Sequence, residues 1–214
     1  MSRRALTAAL ALSFVLAGCG VAGETTGGSG AAKTSAADAA APALPKGYAW
    51  QTIDEVSLKF AVPAGWSAIN PKKLIASGDT SVFDEMAEKM GVTPQQMQQA
   101  VGTADLVLLA PPKEGYADNV TGLVVPLAGL PTEDQLESQM GQASDEEVTV
   151  TRAVSPAGPT ITASYVLTVG TKAVQGRSLF VEGEDGVLNL AVSALDSDLS
   201  TEVTDVIRST IHKV

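Results

Sequence analysis

The chain contains very few of the residues from which catalytic and metal sites are usually built. Among its 214 residues there is one cysteine, Cys19, and one histidine, His212, which lies next to the end of the chain. A zinc site made of histidine and cysteine is therefore excluded by number, and the folded part can have no internal disulfide. A Ser-His-Asp or Cys-His nucleophile would have to use His212, whose place at the end of a predicted helix favours a solvated histidine instead.

Aromatic residues and clustered positive charge are also scarce. Aromatics make up 4% of the chain, and 14 basic residues, nowhere concentrated, face 24 acidic ones. Sugar-cleaving sites usually offer aromatic platforms, so the many carboxylates do not by themselves indicate a glycosidase. The lack of a basic stretch argues against nucleic acid as a partner and against adsorption to anionic headgroups. We predict a protein that is not an enzyme and that needs no cofactor or metal.

The chain has no apolar run long enough for a permanent membrane helix, but a shorter run lies near its start. Arg3 and Arg4 precede the apolar residues 5–15, and Leu16-Ala17-Gly18-Cys19 follows. This order is typical of a secretory signal. The ending resembles the lipobox of bacterial lipoproteins, formed here by Leu16, Ala17, Gly18 and Cys19. The resemblance implies that residues 1–18 are removed and that Cys19 is diacylated. An ordinary cleaved signal followed by a chance cysteine is the alternative.

A lipid anchor accounts for the single cysteine, because acylation caps a thiol that would otherwise be open to oxidation. Two acyl chains also hold a protein on a membrane more firmly than one. Loss of residues 1–18 leaves twelve basic against 24 acidic residues, a formal charge of about −12. We expect the protein on the extracytoplasmic face of the cell membrane, kept soluble by its acidity. Ser2-Arg3-Arg4 partly matches a twin-arginine signal, so the export route stays open.

The segment from Cys19 to residue 46 differs in composition from the rest. After the cysteine it consists largely of alanine, glycine, serine and threonine, with no aromatic residue. Such a segment cannot bury enough apolar surface to offset its conformational entropy. It therefore predicts a disordered tether with a reach of roughly 30 Å. Residues 47–214 then suit one globular domain, large enough to bury roughly 70% of its unfolded surface.

The domain reads as an α+β fold. Alternating or short apolar runs predict strands at residues 55–62, 104–110, 119–127, 148–154, 160–169, 173–181 and 187–193. Capping residues and helical spacing predict helices at 81–91, 93–101, 132–141 and 196–214, and a helical turn at 70–75. Strands joined by short turns pair antiparallel. We therefore expect a single antiparallel sheet, with the last helix on one face and the earlier helices on the other.

Two motifs within this order resemble a known family. Val62-Pro63-Ala64-Gly65-Trp66 follows an amphipathic strand, and Tyr116-Ala117-Asp118-Asn119-Val120 opens another. Together they resemble the LpqN/LpqT-type lipoproteins of actinobacteria over most of residues 50–214. The resemblance implies the PsbP-like fold, an α/β/α sandwich shared by a photosystem extrinsic subunit and a nuclear-transport factor. Members of that fold mostly dock onto other proteins, and the family supplies no catalytic residues to carry over.

Two acidic segments invite a cation-binding interpretation. Asp196-Ser197-Asp198-Leu199-Ser200 has the first spacing of a calcium loop, but it lacks the later glycine and glutamate. Helix capping explains these residues instead. Glu182, Glu184 and Asp185 are expected at a charged hairpin tip, where weak cation binding is the alternative.

Methionines on the predicted helices mark the place where a ligand or partner would bind. Met86, Met90 and Met97 suit either ordinary core packing or an apolar groove against the sheet. Trp66 and Tyr116, each beside a turn, are the other candidates. Two functions follow. One is a non-enzymatic interaction module that binds another envelope protein, and the other is a carrier or sensor of an apolar ligand held between helices and sheet.

Overall fold

The computed structural model describes residues 41–90 and 93–214, except for the side chains of Glu85, Met86, Glu88, Lys89, Met90 and Ala100. Within this part the strands are β1 (Tyr48–Ile53), β2 (Leu58–Pro63), β3 (Ser67–Ile69), β4 (Leu106–Leu109), β5 (Asn119–Val125), β6 (Thr149–Ser155), β7 (Gly158–Val169), β8 (Lys172–Glu182), β9 (Val187–Ala194) and β10 (His212–Lys213). The helices are α1 (Pro71–Ser77), α2 (Ser81–Met90), α3 (Pro94–Val101), α4 (Glu133–Gly141) and α5 (Ser197–Thr210). No helix in these ranges is both long and apolar enough to cross a bilayer.

Capping hydrogen bonds confirm the predicted starts of α3, α4 and α5. The Thr93 hydroxyl accepts a hydrogen bond from the backbone N–H of Gln96, and Thr132 does the same for Gln135. The side-chain oxygen of each glutamine accepts a hydrogen bond from the backbone N–H of the threonine, which completes two capping boxes. Asp196 accepts from the backbone N–H of Asp198 at 2.8 Å and caps α5. These caps satisfy backbone N–H groups that a helix start leaves without partners.

The strands form two antiparallel sheets, and the single sheet expected from the sequence is wrong. One sheet has three strands in the order β1-β2-β10, and the other has seven in the order β3-β4-β5-β9-β8-β7-β6. The strand β2 pairs with β1 on one side and with β10 on the other. Because both of its edges are occupied, β2 cannot join the larger sheet.

The alternating pattern that predicted β2 starts at Glu55, whereas the strand itself starts at Leu58. A single 3-10 turn at Asp54–Val56 and the left-handed backbone of Ser57 reverse the chain between β1 and β2. Alternation from Glu55 onward had predicted one continuous strand there. The end of the chain also departs from expectation, since α5 stops at Thr210 and His212 then pairs with Lys59 in the small sheet.

The seven-stranded sheet buries both of its faces. The small sheet and α5 cover one face, where Phe60, Leu190 and Ile207 share a core. On the opposite face α2 and α3 lie near β3 and β4, and α4 lies on β6 and β7. We call this second side the helix-side face. Successive residues of β9 alternate between the two faces, as a strand with side chains of period two must.

Candidate functional site

The centre of the helix-side face is polar rather than apolar. Five side chains with hydroxyl or amide groups lie there on three neighbouring strands, β5, β9 and β8, and each is 7% exposed or less. We call them the polar strip: Asn119, Thr121, Ser178, Asn189 and Ser193. Asn119 lies directly opposite Ser193 in the sheet, and Thr121 and Ser178 both lie opposite Ala191.

The polar strip occupies the space between two apolar cores. One core joins α2 and α3 to the sheet and reaches Val107 on β4. The other joins α4 to the sheet and reaches Phe180 on β8. In the sheet register, Val107 of the first core lies opposite Thr121, and Ala163 of the second core lies opposite Ser178. The strip therefore forms the floor between two groups of helices, where buried polar groups require hydrogen-bond partners.

Two tyrosines close one end of the strip. The side-chain amide of Asn119 donates to the Tyr116 hydroxyl at 3.4 Å and to the carbonyl oxygen of Ala117 at 3.1 Å. The Tyr165 and Ser178 hydroxyls lie 3.3 Å apart. Burial raises the pKa of Tyr116 to about 12, although its bonds to Asn119 and Ser193 oppose the shift. Burial also raises the pKa of Tyr165. Both hydroxyls are therefore neutral hydrogen-bonding groups near pH 7.

The position of Tyr165 depends on a glycine in the next strand. Tyr165 on β7 lies directly opposite Gly176 on β8. A Cβ atom added at Gly176 would overlap the Tyr165 ring. The absence of a side chain lets the ring lie across β8, where its hydroxyl meets Ser178. This glycine thus helps to build the tyrosine end of the strip.

Asn189 lies at the other end of the strip, and its side-chain amide is not fully hydrogen-bonded. Its neighbours across the sheet are Leu123 and Phe180, both apolar. Asn189 is 5% exposed, and its Oδ1 atom has no hydrogen-bond partner among the described residues. An unpartnered buried acceptor costs roughly 1–3 kcal/mol of stability. This atom is the one group of the strip that invites a ligand carrying a hydrogen-bond donor.

The structure separates the residues that the sequence singled out. Tyr116 is half-buried and reaches the polar strip. Met97 is 1% exposed in the core formed by α2 and α3, which agrees with ordinary core packing and not with an open apolar groove. Trp66 packs against the core on the other face of the sheet. The side chains of Met86 and Met90, and the whole lipobox with Cys19, lie outside the described residues.

None of the five members of the strip was proposed as a site residue from the sequence, although a signal was present for Asn189 and Ser193. The strand β9 reads Leu188-Asn189-Leu190-Ala191-Val192-Ser193, with large aliphatic and small or polar residues in strict alternation. Such alternation usually marks a strand with one face in solvent. Only the helices on both sides show that this polar face is buried.

Two of the acidic residues considered for cations have protein partners. Glu182 accepts from the backbone N–H of Leu130 at 3.2 Å, and Glu184 accepts from the Ser57 hydroxyl at 2.8 Å. Together with residues 126–129 this hairpin tip lines an open cleft of about 460 Å³. Across the two described ranges, no group of three His, Cys, Asp or Glu side chains is placed to hold a metal ion.

Comparison with known proteins gives a structural match. No family model matches the chain. No curated protein matches it either. Among solved structures it is similar to the solution structure of cyanobacterial PsbP (CyanoP) from Synechocystis sp. PCC 6803, with a TM-score of 0.50 and 11% sequence identity. The match covers 78% of this chain and 93% of that one. The fold is PsbP-like. At this identity the likeness establishes the architecture alone, and it agrees with the fold that the LpqN/LpqT resemblance implies.

Proposed function

We propose that this chain is a membrane-anchored extracytoplasmic lipoprotein of the LpqN/LpqT type. In this proposal residues 47–214 act as a non-enzymatic interaction module that binds another protein of the cell envelope. The anchor is supported by the Leu16-Ala17-Gly18-Cys19 motif and by the absence of any second cysteine. The PsbP-like architecture is consistent with the same family.

The chemistry of the polar strip carries the non-enzymatic part of the proposal. Its members are hydroxyls and amides, and the pKa of Tyr116 is raised to about 12 by burial. None of these groups exchanges a proton readily near neutral pH, as a general acid or base must. Such groups can donate and accept hydrogen bonds in a protein contact, and the half-buried Tyr116 is the side chain among them that a partner can reach.

Metabolic labelling tests the anchor. Cells that express the full chain are grown with an alkyne-bearing palmitate, and the purified protein is coupled to a fluorophore. The wild type is expected to carry label and to sediment with membranes, whereas Cys19→Ser carries none. Label that persists in Cys19→Ser would overturn the lipid attachment, because the chain has no other cysteine.

Site-specific photo-crosslinking in intact cells tests the interaction. A photo-reactive amino acid replaces Tyr116, at the rim of the strip, or Val154, which is 78% exposed on β6. A discrete protein-sized adduct from position 116 and none from position 154 supports a partner that contacts the region of Tyr116. Equal adducts from both positions, or none from position 116, would count against it.

A second candidate function is a carrier or sensor of a small ligand held between helices and sheet. The unpartnered Oδ1 of Asn189, which is 5% exposed, favours this candidate. Because the strip is polar, such a ligand must offer a hydrogen-bond donor in addition to any apolar part. Native mass spectrometry of the protein purified from its own cells tests it. A bound small mass that Asn189→Leu removes supports the carrier, and a spectrum at the mass of the processed, lipidated chain alone favours the module.

A further inference from the structure

Arg177 of β8 is a partly buried arginine without a carboxylate partner. Of the three arginines that the structure describes, the other two, Arg152 and Arg208, form ion pairs at 2.7 and 2.9 Å. Arg177 is in none of the ion pairs among the described residues. Within this part of the chain, the one hydrogen bond of its guanidinium runs from Nη1 to the Ser164 hydroxyl at 3.1 Å. On a chain with 24 acidic residues, this guanidinium keeps most of its donors for a ligand.

The strand register places Arg177 in a polar row across three strands. Thr149 on β6 lies opposite Ser164 on β7, and Ser164 lies opposite Arg177 on β8. Directly opposed residues present their side chains on the same face of a sheet. Arg177 in turn lies opposite Val192 on β9, which belongs to the core beneath α5. The row therefore lies on the α5 side of the seven-stranded sheet, whereas the polar strip lies on the helix-side face.

The polar row lines a cleft of about 170 Å³ beside α5. Ser200 of α5, which is 1% exposed, lines it from the helix. Glu146 and Glu147, just before β6, also line it and are exposed. The cleft thus combines a partly buried positive charge with a pair of exposed negative charges. We call it the Arg177 cleft and define it by six of its lining residues: Glu146, Glu147, Thr149, Ser164, Arg177 and Ser200.

These charges select the class of ligand that the cleft can take. A simple anion would be attracted to Arg177 and repelled by Glu146 and Glu147, and a simple cation would meet the reverse. A molecule that carries both a carboxylate and an ammonium group avoids both repulsions. The planar guanidinium can bind a carboxylate through two parallel N–H···O bonds. The hydroxyls of Thr149 and Ser164 can add further hydrogen bonds.

The size of the cleft restricts the ligand further. One water molecule in the liquid occupies about 30 Å³, so the cleft holds about five or six water-sized groups, as many as the non-hydrogen atoms of glycine or alanine. We propose that the Arg177 cleft binds a small α-amino acid as its zwitterion, with the carboxylate on Arg177 and the ammonium group on Glu146 and Glu147. This site goes beyond the function proposed above, because it uses neither the lipid anchor nor the polar strip.

Titration with glycine, followed by NMR, tests the proposal. The isotopically labelled chain from residue 19, with Cys19→Ser to prevent lipidation, is titrated at neutral pH with glycine, acetate or methylammonium. The last two carry the charged groups of glycine separately. We expect glycine to shift the amide resonances of Ser164 and Arg177 saturably, with a dissociation constant of about 1 mM or tighter. We expect acetate and methylammonium to bind about tenfold more weakly or less. No saturable shift with glycine, or equal affinity for acetate, overturns the proposal.

Charge-matched variants locate the site. Arg177→Gln is expected to weaken glycine binding by about tenfold or more, because the contact with the carboxylate is lost. Arg152→Gln is the control, since it removes the same charge from β6, where Arg152 pairs with Glu133 of α4. It is expected to change glycine binding less than about twofold. Equal losses in the two variants would overturn the site.

A second variant keeps the test decisive where Arg177→Gln lowers stability. Glu146→Gln with Glu147→Gln alters only exposed side chains. This double variant is expected to weaken glycine binding by about threefold or more and to strengthen acetate binding, because the repulsion of the anion is removed. A general disturbance of the cleft would weaken both ligands. Acetate binding that stays the same or weakens therefore counts against the zwitterion site.

Discussion

The two faces of the seven-stranded sheet are built from the same strands and yet differ in chemistry. On the α5 side, β9 contributes Leu188, Leu190 and Val192, all fully buried in the largest core. On the helix-side face, the same strand contributes Asn189 and Ser193, also buried but polar. Burial of a large aliphatic side chain stabilises a fold by roughly 1.5–3 kcal/mol, whereas a buried amide gives a net gain only when it is satisfied. The α5 side of β9 therefore stabilises the domain, and the helix-side face of the same strand keeps hydrogen-bonding groups at some cost in stability.

The first prediction, with the largest effect, tests whether the α5 side carries the stability. Leu190→Ala is expected to lower the free energy of unfolding by about 2–5 kcal/mol, because it opens a cavity in the main core. Urea denaturation of the purified domain measures this loss. The matched control is Ser193→Ala on the other face of the same strand, with an expected loss of about 1 kcal/mol. Equal losses would contradict the contrast between the faces.

The second prediction concerns the close packing of the Tyr165 ring against Gly176. Gly176→Ala is expected to lower the free energy of unfolding by about 1–3 kcal/mol, since the new methyl group displaces the Tyr165 ring. Gly141→Ala, where nothing lies within 4 Å of the new Cβ, is the control and should change stability little. In a Tyr165→Ala background the cost of Gly176→Ala should shrink, which a double-mutant cycle can measure. An unchanged cost there would show that the ring is not the obstacle.

The third prediction is a loss of stability in alkali that depends on Tyr116. Its pKa is about 12 in the fold against an ordinary value of 10.0, so the neutral form is favoured in the folded state. Its contribution is therefore complete below pH 10 and is lost as the pH rises from 10 through 12. Tyr116→Phe should remove about 1 kcal/mol of the decline in unfolding free energy between about pH 9 and pH 11. A decline of the same steepness in Tyr116→Phe would refute this origin. Tyr48 and Tyr165, whose pKa values are also raised, contribute to the decline that remains.

The fourth prediction has the smallest effect and is a gain of stability on substitution of Asn189, whereas the substitutions above lower stability. Asn189→Leu should raise the free energy of unfolding by about 1 kcal/mol, because an unpartnered buried acceptor is replaced between Leu123 and Phe180. Thermal unfolding measures the gain. Asn119→Leu, which removes bonds to Tyr116 and Ala117, is expected to lose stability instead. A loss of stability in Asn189→Leu would indicate a partner for the amide and weaken the case for a ligand there.

Much of the secondary structure could be predicted because its signals are local. The strand predicted at 187–193 was found at Val187–Ala194, and the capping boxes at Thr93 and Thr132 began helices where expected. By contrast, β3 has three residues and β10 has two, and neither carries an alternating pattern. Strands this short are stabilised by the partner with which they pair, so no local signal announces them.

The candidate site was predictable only in part. Tyr116 was found from its place beside a turn, but its hydrogen bonds to the strip arise from pairing between β5 and β9, which are far apart in sequence.

The sequence by itself determined the features that depend on neighbouring residues: the lipobox-like motif ending at Cys19, the change of composition between Cys19 and residue 46, the helix caps and the alternation of the long strands. Tertiary structure alone decided the features that depend on distant residues. It divided the strands into two sheets by closing both edges of β2, and it buried the polar residues Asn189 and Ser193 of β9. The physical reason is that hydrogen bonds within a helix cap or turn join residues a few positions apart. Strand partners and buried neighbours are instead selected by packing of the whole chain.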